Sequence, residues 1–387
     1  MKVGNIKVVK NTTSCLRIGG IFMLYKPNWS EVKETYKAWW NKELDYPLLQ
    51  LTSPKEGTEY PDYDGWEFLR HRDCPEKAID LFEEACKSTY FGAEAFPNLW
   101  ANLGPGSLAS YFTGFLRFDE KNNTAWFECP RSWVEVEKLE FRENNEWWEY
   151  TKYIVELSVK RGKGKFIVGT TDIGGVLDVL SSFRGAQNLL VDLIEEPARV
   201  LYMSEKILEA WFKVYKNLYS IIREHQEGTS AWMGIWCPER WYPLQCDFSS
   251  MISPKMFERF VAPHLEKQCK WLDYSIYHLD GPGEIPHLDI LLDIPELTGI
   301  QWVPGDGNPQ CDCPEWFPIY EKILARNKLL VLQTFDNKNN IPKIVEEIGG
   351  RGVLISAHLD DESNIKEFIK QIRNKSRKNN RGVIGGN

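Results

Sequence analysis

Four short apolar segments in the last third of the chain decide the fold: YSIYHL (274–279), GIQWV (299–303), LLVLQT (329–334) and GVLIS (352–356). Each is rich in β-branched, aromatic or leucine residues and has about the length of a buried strand. The segments between and after them carry apolar residues at helical spacing, near residues 285–293, 316–326, 341–348 and 363–374. Strands that alternate with helices pair in parallel, so the pattern predicts an α/β fold.

The same alternation extends toward the amino terminus and completes a set of eight strands. Further strands are predicted near residues 48, 98, 166 and 230. Eight strand–helix repeats indicate a single (β/α)₈ TIM barrel with an elaborated N-terminal region. An open doubly wound sheet is the alternative, but no Gly-x-Gly-x-x-Gly motif follows the first strand. We expect the barrel over residues 23–374, an N-terminal tail over 1–22 and a basic flexible tail over 375–387.

Composition argues against several classes of protein. Lys and Arg number 47 against 55 Asp and Glu, a formal net charge of −8, which argues against a nucleic-acid partner. No apolar run approaches the ~18 residues that a membrane span needs. The nine Cys lack the spacing of a disulfide framework, and no signal peptide is recognisable. We therefore expect a reduced, cytoplasmic protein.

Polar residues follow the predicted strands at their carboxyl ends, where the active sites of barrels lie. His278 and Asp280 are the sharpest pair, because residues i and i+2 of a strand share one face. With His358 on the eighth strand they would form a His/Asp/His set with an open position, as in a catalytic zinc site. The alternative is that His278 is a hydrogen-bonded core histidine and Asp280 caps the next loop.

Other residues near the strand ends are candidates for catalysis and for binding a small-molecule substrate. Acid/base or orienting roles are predicted for Glu239, Asp172 and Asp306. The sixteen Trp indicate either a large core or a cavity with aromatic walls. The predicted substrate-binding residues are Trp232, Trp236, Trp302, Gln333, Arg240 and Asn102.

Three stretches resemble the uroporphyrinogen decarboxylase superfamily, which also contains corrinoid-dependent methyltransferases. They are DVLSSFRG (178–185) with LLVD (189–192), SPKMF (253–257) with Pro263, and HLDG (278–281). The resemblance covers residues 160–375 well and residues 23–160 weakly. It implies a (β/α)₈ barrel and, for the methyltransferase branch, a cobalamin-carrying corrinoid protein as partner.

Two departures from the family bear on the activity that the resemblance implies. Decarboxylases of the family bind substrate carboxylates through an N-terminal Arg-Gln-Ala-Gly-Arg stretch, and this sequence has none. Zinc methyltransferases of the family use His-x-Cys and a distant Cys, where this sequence has His278, Asp280 and approximately His358. Nitrogen and oxygen ligands make a harder, more Lewis-acidic metal, which suits an oxygen or nitrogen leaving group.

The sequence thus predicts a metal-dependent methyltransferase or demethylase that moves a methyl group from a small methylated substrate to or from a corrinoid protein. A second hypothesis is a metal-free uroporphyrinogen decarboxylase-like lyase. Such a lyase needs cavity arginines, for which the candidates are Arg70, Arg72, Arg184 and Arg240. A third is a non-catalytic or carbohydrate-handling barrel with the Trp residues as stacking platforms. Formation of a homodimer is left open.

Overall fold

The computed structural model describes residues 23–383 of the chain. The predicted tail 1–22 and the last residues of the predicted basic tail, 384–387, lie outside the described residues. The strands are β1 Leu48–Pro54, β2 Thr89–Ala93, β3 Asn98–Trp100, β4 Arg117–Asp119, β5 Thr124–Trp126, β6 Ile167–Thr170, β7 Ser230–Ala231, β8 Trp241–Leu244, β9 Tyr274–Asp280, β10 Gly299–Val303, β11 Leu329–Leu332 and β12 Val353–His358.

Helices connect most of these strands. The α-helices are α1 Trp29–Trp40, α2 Glu67–Arg70, α3 Pro75–Ser88, α4 Leu108–Thr113, α5 Trp133–Val136, α6 Glu146–Gly162, α7 Val176–Arg184, α8 Ala186–Glu195, α9 Pro197–His225, α10 Pro254–Phe260, α11 Ala262–Trp271, α12 Leu288–Leu292, α13 Phe317–Ala325, α14 Ile341–Ile348 and α15 Glu362–Val383. Short 3₁₀ helices lie at Asp247–Met251, Pro282–His287, Pro314–Trp316 and Lys338–Asn340.

Parallel pairing dominates the two larger sheets. One has seven strands in the order β2-β1-β12-β11-β10-β9-β8, and the other has three in the order β3-β6-β7. Apart from the antiparallel β1–β2 and β4–β5 pairs, the pairs between named strands are parallel. The parallel strands and their connecting helices confirm the predicted α/β class. Within residues 23–383 no strand pairing joins the two sheets, so the closed barrel is not confirmed. The edge strands β3 and β7 of the smaller sheet are short, with three and two residues.

The predicted strand at 229–236 is mostly wrong. Only Ser230–Ala231 is a strand, and the chain then turns at Gly234, whose φ is +73°. Thr229 and Cys237 bridge the ends of this turn. The missed strand is β8, which pairs in parallel with β9. Pro243 lies within β8 and normally argues against a strand, but β8 is an edge of its sheet, where a missing N–H is tolerated.

The last helix is longer than predicted. Helix α15 runs to Val383, nine residues beyond the predicted end at Asn374. No Gly or Pro interrupts the chain between Ser363 and Arg381, so nothing in the backbone chemistry stops the helix earlier.

Alternation along the central strands separates an outward face from an inward one. On β9, Tyr277 and Leu279 are fully buried in the core that packs the sheet against the helices, and His278 points the other way. On β10, Trp302 is level with Leu279 and packs against Trp316, with ring centroids 5.0 Å apart. The large aromatic residues thus fill the space between sheet and helices.

A second buried cluster covers the amino ends of the strands. Helix α1 contributes Tyr36 and Trp40, which pack with Trp236 and with strand residues such as Leu48 and Ile276. The Trp40 indole N–H donates to the Trp236 carbonyl at 2.9 Å. This packing closes one end of the strands and leaves their carboxyl ends for polar residues. Among residues 23–383, none of the helices combines the length and the apolar character that crossing a bilayer requires.

Trp302 therefore serves packing, and its removal should cost stability. We expect Trp302→Ala to lower the free energy of unfolding by about 3–5 kcal/mol, the usual cost of removing a buried Trp. Trp126 is 42% exposed, so Trp126→Ala should change stability by no more than about 1 kcal/mol. Urea unfolding of both variants measures the difference, and similar small effects would contradict the placement of Trp302.

Candidate metal centre

Two adjacent strand ends bring three ligand-type side chains together. His278 and Asp280 lie on one face at the carboxyl end of β9. Asp247 begins the 3₁₀ helix that follows the neighbouring strand β8. One ligand atom from each residue lies within 4.8 Å of the other two. In the described part of the chain, these residues form a candidate site for a metal ion.

Two further carboxyl groups accept main-chain N–H groups from the segments that carry Asp247 and Asp280. Asp178, in the first turn of α7, accepts the N–H of Phe248 at 2.8 Å and that of Asp247 at 3.3 Å. Glu284 has no exposed surface and accepts the Asp280 N–H at 3.4 Å. Second-layer contacts of this kind fix the direction of metal ligands.

The His278 ring is held by a hydrogen bond and by an aromatic neighbour. Its Nδ1 lies 2.5 Å from Oε1 of Gln301, the residue level with it on β10. The Trp232 ring meets the imidazole edge-on, with centroids 5.3 Å apart. Because Nδ1 is engaged, Nε2 is the nitrogen left for a ligand.

Burial and mutual repulsion shape the electrostatics of the carboxyl groups around this site. Burial raises the pKa of Asp172 to about 7 and that of Glu284 to about 9, and it also raises the pKa of Asp178. The Asp247 charge adds to each of these increases. The site therefore concentrates acidic groups that would be stabilised by a nearby cation.

Asp247 itself is subject to opposing effects. Burial raises its pKa, the His278 ring lowers it and the Asp280 carboxylate raises it. The Asp247 side chain is nevertheless exposed, so solvent screens its charge. An exposed carboxylate between an imidazole and a second carboxylate suits a cation that enters from solvent.

His358, the predicted third ligand, lies elsewhere. Its Nδ1 is 3.1 Å from the hydroxyl of Thr52. Pairing across β10 and β11 places Leu354 level with His278, so His358 lies four residues further along its strand. At about 3.3 Å per residue this is about 13 Å. In the described structure the residue that joins His278 and Asp280 is Asp247.

Three predicted site residues lie at the opposite end of the sheet. Arg240 forms an ion pair with Asp273, just before β9, at 2.9 Å. Glu239 precedes it and is exposed. Trp236 is fully buried in the cluster that covers the amino ends of the strands. The predicted strand at residues 229–236 placed the loop before β8 at a carboxyl end, whereas the structure places these three residues away from the candidate metal site.

The remaining predictions divide by the face on which each residue lies. Trp302 is fully buried and packs against Trp316, on the face of β10 opposite to Gln301. Gln333 lies on the inward side and bonds Gln301. Asn102 donates to the Gly65 carbonyl at 3.0 Å, and Asp306 is exposed in the loop after β10. Of the predicted binding residues, Trp232 and Gln333 lie nearest the three ligand-type residues by these contacts.

Sequence reasoning missed Asp247, Asp178, Glu284 and Gln301 as site residues. Asp247 follows β8, and a strand at Trp241–Leu244 would have placed it at a carboxyl end. Asp178 opens the DVLSSFRG stretch that the sequence analysis singled out, and Glu284 lies three residues beyond the HLDG stretch. Their role depends on contacts between distant loops, which spacing does not reveal.

The comparisons with known proteins point to a shared fold. No protein-family model matches the chain, and no curated protein matches it. A solved structure of a methyltransferase from Methanosarcina mazei superposes with a TM-score of 0.58. The match covers 89% of this chain and 98% of that one at 12% identity. At this identity the likeness shows the fold alone.

The raised pKa of Asp172 predicts a pH-dependent stability in metal-free protein. A folded pKa of about 7 against 3.8 means that this group's stabilising contribution is complete below pH 4 and is lost as the pH rises through 7. Asp172→Asn removes that loss, because the amide stays neutral and can still accept the Gly174 N–H.

We expect the unfolding free energy of Asp172→Asn to exceed that of the wild type by roughly 1–4 kcal/mol at pH 8. The excess should shrink toward pH 4, where the wild-type carboxyl is itself protonated. Urea unfolding in the presence of a chelator measures the difference at each pH. A difference that is the same at pH 4 and pH 8 would show that Asp172 has no raised pKa.

Proposed function

We propose that this protein is a cytoplasmic, metal-dependent methyltransferase or demethylase. It moves a methyl group from a small methylated substrate to or from a corrinoid protein. The observation that carries the proposal is the convergence of His278, Asp280 and Asp247 at the carboxyl ends of neighbouring parallel strands. Asp247 takes the place in the ligand set that the sequence assigned to His358.

The donor set fits a divalent metal, which we propose to be zinc. One imidazole nitrogen and two carboxylate oxygens are ligands that zinc accepts, and three protein ligands leave a coordination position open for substrate. When bound, such a metal polarises an oxygen or nitrogen leaving group. The mutual repulsion of the carboxyl groups around the site favours a bound cation there.

The chain's own residues would hold the substrate and move protons. The Asp172 carboxyl accepts the Gly174 N–H at 2.8 Å, and burial raises its pKa, which suits a group that holds or passes a proton. Trp232, beside His278, supplies an apolar wall. Gln333 supports the same face from β11 through its contact with Gln301. These groups would orient a small substrate against the open metal position.

The fold likeness and the family resemblance support the same proposal. We propose that the two parallel sheets are parts of one (β/α)₈ barrel of the uroporphyrinogen decarboxylase superfamily, in its methyltransferase branch. The solved neighbour is a methyltransferase. The three ligand-type residues lie at the strand ends where barrel enzymes carry their active sites.

The metal-free lyase hypothesis is less favoured. It needs free cationic side chains to bind substrate carboxylates, but each candidate guanidinium contacts a carboxylate of this chain. Arg70 pairs with Asp64, Arg72 with Glu146, Arg184 with Asp192 and Arg240 with Asp273.

The carbohydrate hypothesis loses support because many tryptophans are committed to packing. Trp39, Trp148, Trp211, Trp236, Trp241 and Trp302 are all fully buried. A buried indole offers no exposed ring face on which a sugar could stack.

Metal content tests the proposed centre. We expect purified wild type to hold about one zinc per chain and His278→Ala or Asp247→Asn to lose most of it, because each removes one ligand. His358→Ala is the matched control and should retain the wild-type content. Elemental analysis after equilibration with zinc measures this, and zinc contents that do not differ between His278→Ala and wild type would overturn the metal centre.

Methyl transfer tests the activity. With free reduced cobalamin as acceptor and a panel of small methylated ethers and amines as donors, we expect the acceptor's absorbance to change only in the presence of enzyme. His278→Ala should slow this change by roughly 100-fold or more, because the leaving group would no longer be polarised. Zinc binding without transfer from any donor would reject methyl transfer while leaving the metal centre in place.

A further inference from the structure

A directional chain of hydrogen bonds runs from His278 to the protein backbone. His278 Nδ1 lies 2.5 Å from Oε1 of Gln301, and Nε2 of Gln301 lies 2.5 Å from Oε1 of Gln333. Nε2 of Gln333 donates to the main-chain carbonyl of Met233 at 3.1 Å. Gln301 and Gln333 thus connect the candidate ligand on β9 to the loop after β7.

The Met233 carbonyl fixes the direction of every bond in this chain. A main-chain carbonyl can only accept, so the amide NH₂ of Gln333 must face it and the Gln333 oxygen must face Gln301. The Gln301 NH₂ then donates to that oxygen, and the Gln301 oxygen faces His278. The reverse arrangement would place the Gln333 oxygen against the Met233 carbonyl oxygen, which is repulsive. His278 must therefore carry its proton on Nδ1.

We propose that Gln301 and Gln333 are positioning residues that hold His278 as the Nδ1-protonated tautomer, with Nε2 as the nitrogen that binds the metal. The tautomer follows from the hydrogen bonds alone, and its role in ligation rests on the proposed function. In this arrangement Nε2 needs to lose no proton before it coordinates. Neither glutamine belongs to the proposed ligand set, so both would act through His278.

The choice of an amide rather than a carboxylate partner has a chemical consequence. A carboxylate that accepts from the distal nitrogen raises the basicity of a ligating histidine. The neutral Gln301 oxygen orients the ring with less electron donation, which would leave a bound metal a stronger Lewis acid. That property suits polarisation of an oxygen or nitrogen leaving group.

The chain offers a matched control for effects on the loop itself. Gln50 donates from Nε2 to the Gly234 carbonyl at 2.6 Å, one residue beyond Met233. Gln50→Met and Gln333→Met each remove one glutamine contact to the same loop. Only Gln333→Met interrupts the chain of bonds to His278.

The tautomer is measured directly by long-range ¹H–¹⁵N correlation spectra of metal-free, ¹⁵N-histidine-labelled full-length protein at pH 8. The chain has six His, and the His278 signals are those absent from His278→Gln. We expect Nδ1–H for wild type and for Gln50→Met, and a mixture of both tautomers for Gln333→Met. Nε2–H in wild type, or an equal change in Gln50→Met, would overturn the proposal.

A rescue variant separates tautomer control from a merely structural role. A carboxylate can only accept, so adding Gln301→Glu to Gln333→Met should restore Nδ1–H. Zinc titration should show affinity about 10–100-fold weaker for Gln333→Met and recovered in the double variant. Failure of the double variant to restore the tautomer contradicts the proposal. A wild type with the expected tautomer that binds no zinc contradicts the proposed function alone.

Discussion

The in-register pairing of β9 with β10 is the constraint on which the candidate site depends. Leu279 is level with Trp302 on the outward face, and His278 is level with Gln301 on the inward face. Because both outward residues are fully buried against helices, a slip of β9 by one residue would take Leu279 out of this packing and turn His278 toward the helices. The apolar packing that stabilises the sheet therefore also fixes the position of the imidazole.

The second constraint is the cost of gathering carboxyl groups in a partly buried place. Asp178 and Glu284 add to this cost, and the main-chain N–H groups that they accept from the segments carrying Asp247 and Asp280 offset part of it. These hydrogen bonds fix the positions of the carboxyl groups, although burial of their charge remains unfavourable. The proposed metal would supply the missing positive charge. Gln301 and Gln333 would orient the imidazole without adding a further negative charge.

The sequence predicted the central strands well because their signal is local. Four apolar segments from residue 274 onward coincide with β9 to β12, and alternation alone put His278 and Asp280 on one face. The same reasoning failed at β8, where Pro243 masks an edge strand, and this error displaced Arg240 and Glu239 to the wrong end of the sheet. It failed for Trp302 because a position near a strand end does not reveal which face a side chain occupies.

What the sequence determined by itself was the α/β class and the pairing of His278 with Asp280, since periodicity within one strand suffices for both. Only the tertiary structure decided the third member of the cluster, replacing His358 with Asp247, and the hydrogen-bond partners that orient it. Those contacts join segments that are far apart in the chain, and their distances follow from register and packing rather than from spacing along the sequence.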